Sequence, residues 1–224
     1  MAHDDHLSGT DGNNVFRPGA GDDTIDGRDG TDTVTYSDDM QGVTVNLAAA
    51  TNQASGPGIG TDQLISIEKV IGSQGDDRLT GNAAANELSG RDGDDVLIGE
   101  AGDNVLTGGL RSDFLTGDAG ADIFDFNSIE ESPTGATRDR IQDFNRGQGD
   151  RIDLSDIDAN TKKSGHQNFK FIGRDDFSKT AGELHYVKKS TYVLVEGDLN
   201  GDGKADFQIK VKGISNLDEG NFIL

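Results

Sequence analysis

A nine-residue step organises the first half of the chain. An Asp or Asn recurs at this step nine times, and an apolar side chain follows each one two residues later. The polar positions are Asn14, Asp23, Asp32, Asp77, Asn86, Asp95, Asn104, Asp113 and Asp122. Their apolar partners are Phe16, Ile25, Val34, Leu79, Leu88, Leu97, Leu106, Leu115 and Phe124. A short fixed period predicts a solenoid in which neighbouring turns stack over a shared core.

The loops between these positions are rich in glycine, which permits backbone angles that a Cβ would forbid. Loop carbonyls can then turn inward beside the Asp carboxylates, and calcium accepts six to eight such oxygen ligands in irregular geometry. The pattern therefore predicts several Ca²⁺ ions held by the nine polar residues and by the loop glycines. These glycines are Gly19, Gly21, Gly27, Gly30, Gly72, Gly75, Gly90, Gly93, Gly99, Gly102, Gly108, Gly117 and Gly120.

The clearest copy runs from Gly117 to Asp125 and resembles the calcium-binding nonapeptide of RTX (repeats-in-toxin) proteins. The resemblance implies a flattened parallel β-roll, with calcium between loops that lie one full turn apart. On this chain it implies two columns of ligands. One column holds Asp77, Asp95 and Asp113, and the other holds Asn86, Asn104 and Asp122. Because Asn offers only a neutral oxygen, we expect the second column to bind more weakly.

Two copies depart from the pattern. Ala84 replaces the fourth-position glycine in the loop before Asn86, and Arg111 replaces it in the loop before Asp113. The alternative for these loops is a turn that only holds the fold and does not bind a full calcium complement. Three further carboxylates, those of Asp22, Asp76 and Asp94, immediately precede the predicted ligands, and we expect them to be solvated.

The charge of the chain is concentrated in the repeats. Residues 1–127 carry 24 acidic and 6 basic residues, whereas residues 128–224 carry 17 and 14. Stacked carboxylates repel one another, so this half should resist compaction without a cation. A net charge of -21 also argues against a nucleic-acid partner, which requires a basic face.

Residues 36–71 interrupt the array. The stretch from Gly42 to Leu47 alternates apolar and polar residues, as a half-buried strand does, and residues 51–61 are polar and glycine-rich like a loop. Ile67, Val70 and Ile71 then lead into the next repeat. The segment is predicted to form extra solenoid turns with one protruding loop, because it is too short for a separate core.

The second half is predicted to cap the solenoid, whose open end needs covering. It resembles the C-terminal region of the serralysin family of secreted metalloproteases in the stretches beginning Asp139-Arg140-Ile141, Asp150-Arg151-Ile152 and Asp198-Leu199-Asn200. The C-terminal modules of secreted alginate epimerases are built similarly. We predict an all-β protein: a parallel β-roll in residues 1–127 with the insert at 36–71, then a β-rich cap in residues 128–224.

A separate calcium loop is suggested by Asp198, Asn200, Asp202 and Asp206, which match the start of an EF-hand-type loop with Gly203 at the sharp turn. The twelfth position is Ile209 instead of the bidentate Glu. A hairpin turn rich in Asp and Gly is the equal alternative.

The chain ends in Asn221-Phe222-Ile223-Leu224, which resembles the signal read by type I (ABC) exporters in the serralysin family. The alternative is a final β-strand in the cap, and the two assignments are compatible with each other at different times. The start of the chain lacks the apolar segment of a cleavable signal peptide, and no apolar run is long enough to span a membrane. These features predict a secreted, extracellular bacterial protein that folds on calcium and exits through a type I system.

No catalytic constellation is visible, since the H-E-x-x-H and G-x-S-x-G motifs are missing. The sequence therefore predicts a non-catalytic module, either free-standing or the tail of a secreted toxin, protease, lipase or epimerase. The alternative function is binding of an alginate-like polyanion by basic residues of the second half, although scattered solvating lysines are preferred. These residues are Lys162, Lys163, Lys170, Arg174, Lys179, Lys188, Lys189, Lys204, Lys210 and Lys212.

Overall fold

A computed structural model describes residues 3–224 of the chain; Met1 and Ala2, the first residues of the predicted roll, lie outside the described part. The strands of the first half are β1 (His6–Ser8), β2 (Val15–Phe16), β3 (Thr24–Asp26), β4 (Thr33–Thr35), β5 (Thr44–Asn46), β6 (Ala54–Gly56), β7 (Gly60–Ile65), β8 (Lys69–Ile71), β9 (Arg78–Thr80), β10 (Glu87–Asp92), β11 (Val96–Ile98), β12 (Val105–Leu110), β13 (Phe114–Thr116) and β14 (Ile123–Asp125). Those of the second half are β15 (Arg140–Ile141), β16 (Arg151–Asp153), β17 (Lys170–Phe171), β18 (Glu183–Lys188), β19 (Val193–Asp198), β20 (Phe207–Val211) and β21 (Phe222–Ile223), with one 3-10 turn at Glu219–Asn221.

The strands form two sheets that face each other across a thin core. Successive repeats alternate between the sheets, so each strand pairs in parallel with the strand two repeats later. Leu88 of β10 is aligned with Leu106 of β12, and Leu97 of β11 is aligned with Leu115 of β13. One sheet has the order β2-β4-β8-β10-β12-β14-β16-β21 and is parallel throughout. The predicted parallel β-roll is confirmed.

The core is built from the apolar residue of each repeat. All nine predicted partners are buried, and most are fully so; they are Phe16, Ile25, Val34, Leu79, Leu88, Leu97, Leu106, Leu115 and Phe124. Because successive side chains of a strand point to opposite faces, a strand of about three residues inserts only one side chain into the core. Stability must therefore come from stacking many turns.

The insert enters one of the sheets. The strands β5, β6 and β7 form an antiparallel meander, which joins the roll through β5 beside β9 and through β7 beside β3. The prediction of a protruding loop at 51–61 is therefore wrong in part, because β6 and the start of β7 lie within it. Their antiparallel pairing needs no glycine-rich periodicity, so the repeat pattern gave no sign of it.

A buried hydrogen bond fastens the insert to the repeat that precedes it. The Tyr36 hydroxyl donates to Asp62 Oδ2 at 2.9 Å, and Asp62 Oδ1 accepts the backbone N–H of Asp23 at 3.1 Å. Both side chains are buried. Burial, together with the nearby Asp23 and Asp22 carboxylates, raises the pKa of Asp62 to about 6, against the hydrogen bonds that stabilise its charge.

The C-terminal half continues both sheets. In parallel pairings, β15 lies between β13 and β20, and β16 lies between β14 and β21. A meander of β18, β19 and β20 completes the larger sheet together with β17. The terminal residues form the last strand of the parallel sheet, where Phe222 is buried and packs against Phe171 at 5.2 Å between ring centroids. The final-strand alternative for the tail is thus present in the folded protein.

A buried ion pair joins β18 to β19 in the meander. His185 Nε2 lies 3.0 Å from Glu196 Oε2, and His185 Nδ1 lies 2.8 Å from the carbonyl oxygen of Asp175. A carbonyl and a carboxylate both accept, so this geometry fits an imidazolium that donates from both nitrogens. Burial lowers the pKa of His185, but the hydrogen bonds to Glu196 and Asp175 outweigh it and raise that pKa overall.

In the described part of the chain, no helix has the length and apolar character needed to cross a bilayer.

Candidate metal centre

A ladder of side-chain oxygens runs along one edge of the roll. The backbone N–H of Asp77 donates to Asp95 Oδ1 at 2.7 Å, that of Asp95 to Asp113 Oδ1 at 2.8 Å, and that of Asp113 to Asp139 Oδ1 at 2.9 Å. Each carboxylate therefore binds the backbone of the preceding turn. The residues occupy this edge because each immediately precedes a strand of the larger sheet.

A second ladder follows the opposite edge. The backbone N–H of Asn86 donates to Asn104 Oδ1, that of Asn104 to Asp122 Oδ1, and that of Asp122 to Asp150 Oδ1, at 2.9, 2.9 and 3.1 Å. Near the N-terminus, the same ladder begins with the backbone N–H of Asn14, which donates to Asp32 Oδ1 at 2.7 Å. The structure thus places the predicted residues in the two columns that the RTX resemblance implied.

Some of these carboxylates keep one oxygen without any partner. The Oδ2 atoms in this state are buried and belong to Asp23, Asp32, Asp95, Asp113, Asp122 and Asp139. Leaving a buried carboxylate oxygen unpaired is costly, and buried polar atoms nearly always have a partner. A cation with a preference for oxygen would satisfy all six, so the residues fit calcium.

Other predicted ligands are already satisfied within the protein. Both oxygens of Asp77 accept hydrogen bonds from Ser73, and Asn86 Oδ1 accepts the backbone N–H of Asn82 at 2.8 Å. The Asn104 side chain bonds to Gly102 and Asp122, and the Asn14 amide bonds to Thr10. These four positions therefore resemble structural turns more than open cation sites.

The first glycine of each loop lies directly against the ligand column. A Cβ on Gly90 would collide with Asp95 Oδ2, and the same collision with the local carboxylate or amide occurs at Gly27, Gly72, Gly99, Gly108 and Gly117. Glycine at these positions therefore keeps the space beside the carboxylate open. Six of the other glycines predicted at the calcium loops have a positive φ: Gly19, Gly21, Gly30, Gly93, Gly102 and Gly120. At Gly75 the reason for glycine is space, because a Cβ would collide with the backbone of Gln41 and Gly42.

Arg111 retains the loop conformation despite its side chain. Its φ of 95° lies in the region that non-glycine residues rarely occupy, and the Oδ2 of Asp113 in the same repeat is still unpaired. Ala84 has no such φ, and Asn86 in that repeat is internally bonded. The two irregular copies therefore differ: the Arg111 loop preserves the cation-facing geometry and the Ala84 loop does not.

The first edge has a strongly unfavourable charge environment. Burial and the neighbouring carboxylates Asp113 and Asp77 raise the pKa of Asp95 to about 8. Burial and the Asp113 carboxylate raise the pKa of Asp139 to about 9. On the second edge, burial and the neighbouring Asp150 and Asp143 carboxylates raise the pKa of Asp122 to about 6. Ionised carboxylates at these positions require a compensating positive charge.

Backbone carbonyls must contribute to any cation site here. Among residues 3–224, no group of three or more His, Asp or Glu side chains converges closely enough to hold a metal. Each loop instead places one carboxylate or amide oxygen on the ladder, and its glycines allow the remaining oxygens to come from the main chain.

The ladders also contain four acidic side chains that the repeat pattern did not predict as ligands. Asp62 and Asp139 lie on the first edge, and Glu68 and Asp150 lie on the second. Each precedes a buried apolar residue by two positions, as in the repeats, but lacks the regular glycine loop. This acid-x-apolar spacing was the signal that could have identified them.

The carboxylates that precede the ligands are exposed, as expected, but they are also bonded. Asp76 Oδ1 accepts the backbone N–H of Asp94 at 2.9 Å, and Asp22 Oδ1 accepts that of Thr61 at 2.9 Å. They form an outer row that joins adjacent turns.

The EF-hand-like segment forms the connection between β19 and β20, so the hairpin alternative describes its backbone. Asp198 accepts the N–H groups of Gly201 and Gly203, and Asp206 accepts those of Leu199 and Asn200. The Asn200 and Asp202 side chains accept further loop N–H groups. The loop satisfies its own polar atoms, and calcium binding there stays a prediction.

The chain matches two protein-family models. Residues 22–224 match the Peptidase M10 serralysin C-terminal family, and residues 1–34 match the RTX calcium-binding nonapeptide repeat.

A curated relative and a solved structure are also similar. Metalloprotease AprA of Pseudomonas entomophila (strain L48) is 41% identical over 189 residues, which are 82% of this chain and 36% of AprA. This chain therefore spans about a third of that relative's length. The AlgE6R2 subunit of the Azotobacter vinelandii mannuronan C5-epimerase superposes with a TM-score of 0.51 at 26% identity, over 67% of this chain and 89% of the subunit.

Proposed function

The chain belongs to the serralysin C-terminal family and carries RTX calcium-binding repeats, and from this membership we propose that it is a module whose folding depends on extracellular calcium. The observation that carries the proposal is the set of buried, unpaired carboxylate oxygens along the two ladders. The proposed ligands are the carboxylates of Asp23, Asp32, Asp95, Asp113, Asp122 and Asp139, with main-chain oxygens of the glycine loops. Ligation by Asn14, Asp77, Asn86, Asn104 and the loop Asp198–Asp206 remains a weaker prediction.

Charge repulsion is the physical basis of the dependence. Calcium bound at these loops supplies positive charge that neutralises the stacked carboxylates and fills the coordination of their unpaired oxygens. Without it, the buried carboxyls of the ladders must either stay ionised beside one another or take up protons, and both cost free energy that opposes folding. Binding free energy then becomes folding free energy, because the sites do not exist in the unfolded chain.

Far-UV circular dichroism tests this proposal. We expect a disordered spectrum in chelator and a β-rich spectrum in millimolar calcium, with a midpoint on the order of 10⁻⁴ to 10⁻³ M. Magnesium is the control, because its smaller ion demands near-octahedral geometry and dehydrates reluctantly. Identical spectra in chelator and calcium would refute calcium-dependent folding.

We further propose that the protein is secreted from bacteria by a type I system, which reads the C-terminal tail. Membership in the serralysin C-terminal family supports this proposal. In the folded protein Phe222 is buried in the last strand, so an exporter would read the tail in the unfolded chain. Removing residues 222–224 should retain the protein inside cells that carry a matching exporter; undiminished export would contradict the proposal.

The module is proposed to have no catalytic activity of its own and to serve as part of a secreted enzyme or toxin. The matched family model describes the C-terminal portion of its members, which supports this assignment. The division into a repeat domain (1–127) and a cap (128–224) likewise stays a prediction.

A further inference from the structure

The outer face of the larger sheet carries basic side chains where β15 and β20 run side by side. The strand register aligns Arg140 with Lys210. Lys212 Nζ donates to Gln142 Oε1 at 2.7 Å, and Arg138 Nε donates to Gln208 Oε1 at 3.1 Å. The four cations Arg138, Arg140, Lys210 and Lys212 are called the basic face below.

Two aromatic rings hold the basic face in place. The Arg140 guanidinium lies over the Phe114 ring at 4.7 Å from its centroid, and Lys210 Nζ lies over the Tyr192 ring at 4.6 Å. Phe114 is 38% exposed, which is unusual for a large apolar side chain in this roll. Cations packed on rings lose side-chain freedom before any ligand arrives, so they are preorganised.

No ion pair formed by residues 3–224 includes these cations. The ion pairs among residues 3–224 join Lys69 to Glu87, Arg146 to Asp218 and His185 to Glu196. The chain has 41 acidic and 20 basic residues, so an unpaired group of four cations is unexpected in it. Burial and repulsion by Lys212, Arg140 and Arg138 lower the pKa of Lys210. The face is therefore open to an external anion.

A groove continues the basic face toward the turn between β18 and β19. It encloses about 330 Å³ and is lined by Lys188, Lys189, Tyr192 and Ser215. Lys210 packs on the Tyr192 ring, so the groove and the basic face share that residue. The positive surface thus extends across several adjacent strands, along the stacking direction of the roll.

We propose that the basic face binds a linear polysaccharide that carries carboxylate groups, a polyuronate. Adjacent strands are about 4.8 Å apart, so cations on neighbouring strands match a polymer with roughly one carboxylate per sugar. The rings of Phe114 and Tyr192 can pack against sugar faces. A nucleic acid fits less well, because duplex DNA carries one charge per ~1.7 Å, which is much closer than the spacing of cations on neighbouring strands. This interaction goes beyond calcium-dependent folding.

Titration calorimetry of the calcium-loaded protein with a hexameric oligogalacturonate tests the proposal, with maltohexaose as the neutral control. We expect saturable binding of the acidic hexamer alone, and a loss of affinity as salt rises, because exposed charges are screened over about 8 Å at physiological ionic strength. The double variant Arg140→Gln/Lys210→Gln should bind roughly tenfold more weakly. The matched control is Lys162→Gln/Lys163→Gln, which removes two exposed charges outside the basic face and should bind like the parent protein.

Absence of binding, equal loss in both double variants, or equal binding of maltohexaose would overturn the proposal. Binding to phosphatidylglycerol vesicles without binding to the hexamer would overturn it in favour of a lipid surface. The calcium midpoint of folding is measured for each variant by circular dichroism. An unchanged midpoint shows that a loss of binding comes from the basic face and not from a change in folding. The same titration tests calcium-dependent folding independently of polysaccharide binding.

Discussion

Asp95 Oδ1 accepts the backbone N–H of Asp77 at 2.7 Å, while Asp95 Oδ2 is buried without a partner. One carboxylate therefore carries two separable roles. Its first oxygen binds the backbone of the preceding turn, and its second is the atom that we propose binds a cation. Substitutions can distinguish these roles, because an amide retains the first oxygen and loses the negative charge.

Asp95→Asn should raise the calcium midpoint of folding several-fold, since the ladder hydrogen bond survives and the charge does not. Asn86→Ala should shift it less, because the Asn86 side chain is bonded within its own turn. The measurement is a calcium titration by circular dichroism, and Asp94→Asn is the exposed control. Equal shifts for Asp95→Asn and Asn86→Ala would show that the two edges do not differ.

Asp139→Asn should also raise the calcium midpoint, although Asp139 lies outside the regular repeats. Its Oδ2 is buried and unpaired, and its pKa is raised to about 9 by burial and by the Asp113 carboxylate. Asp156→Asn removes an exposed carboxylate nearby in sequence and should leave the midpoint unchanged. If both variants behave alike in the same titration, Asp139 is not a ligand.

Phe222→Ala should lower the free energy of unfolding by about 3 kcal/mol, because it removes a buried ring from the last strand. Ile223→Ala, at a half-buried position of the same strand, should cost less. Urea unfolding in saturating calcium measures both. A negligible effect of Phe222→Ala would mean that the terminal strand contributes little to the fold.

His185→Gln should destabilise the protein in a pH-dependent manner. The folded-state pKa of His185 is raised, so its stabilisation is complete below about pH 6.5 and is lost as the pH rises through the folded value. Burial alone would raise the pKa of Glu196, but its hydrogen bonds to His185 and Gln208 lower it, so its contribution disappears only in acid. We expect a loss of roughly 1–2 kcal/mol at pH 6 that shrinks by about pH 9.

Urea unfolding in calcium at both pH values tests this expectation, with His166→Gln as the exposed control. An equal loss at both pH values would show that His185 acts through packing and not through its charge.

The RTX resemblance predicted the roll and its two columns, and the apolar residue that recurs at the nine-residue step predicted the core. Leu88, Leu97 and Leu106 are buried for that reason alone. The meander of β5, β6 and β7 was not predictable in the same way, since antiparallel pairing depends on tertiary context and not on a period.

The repeat pattern also could not predict which ladder oxygens are hydrogen-bonded within the protein and which are unpaired. Asp77 and Asp95 occupy equivalent places in their repeats, yet Ser73 bonds to both oxygens of Asp77, whereas Asp95 Oδ2 has no partner. That difference depends on a side chain within the loop. The basic face was missed because Arg140 and Lys210 are distant in sequence and only the strand register aligns them.

The hydrogen bonds of the ladder all point the same way along the chain. Each turn therefore depends on the turn that follows it in sequence for an acceptor. Each backbone N–H at a ladder position donates to a side-chain oxygen in the turn that follows, and Asp139 and Asp150 provide the acceptors for Asp113 and Asp122. A turn is thus complete only when its successor is in place. Damage to one acceptor should weaken protection of the turn before it from hydrogen exchange, and disturb the turn after it less.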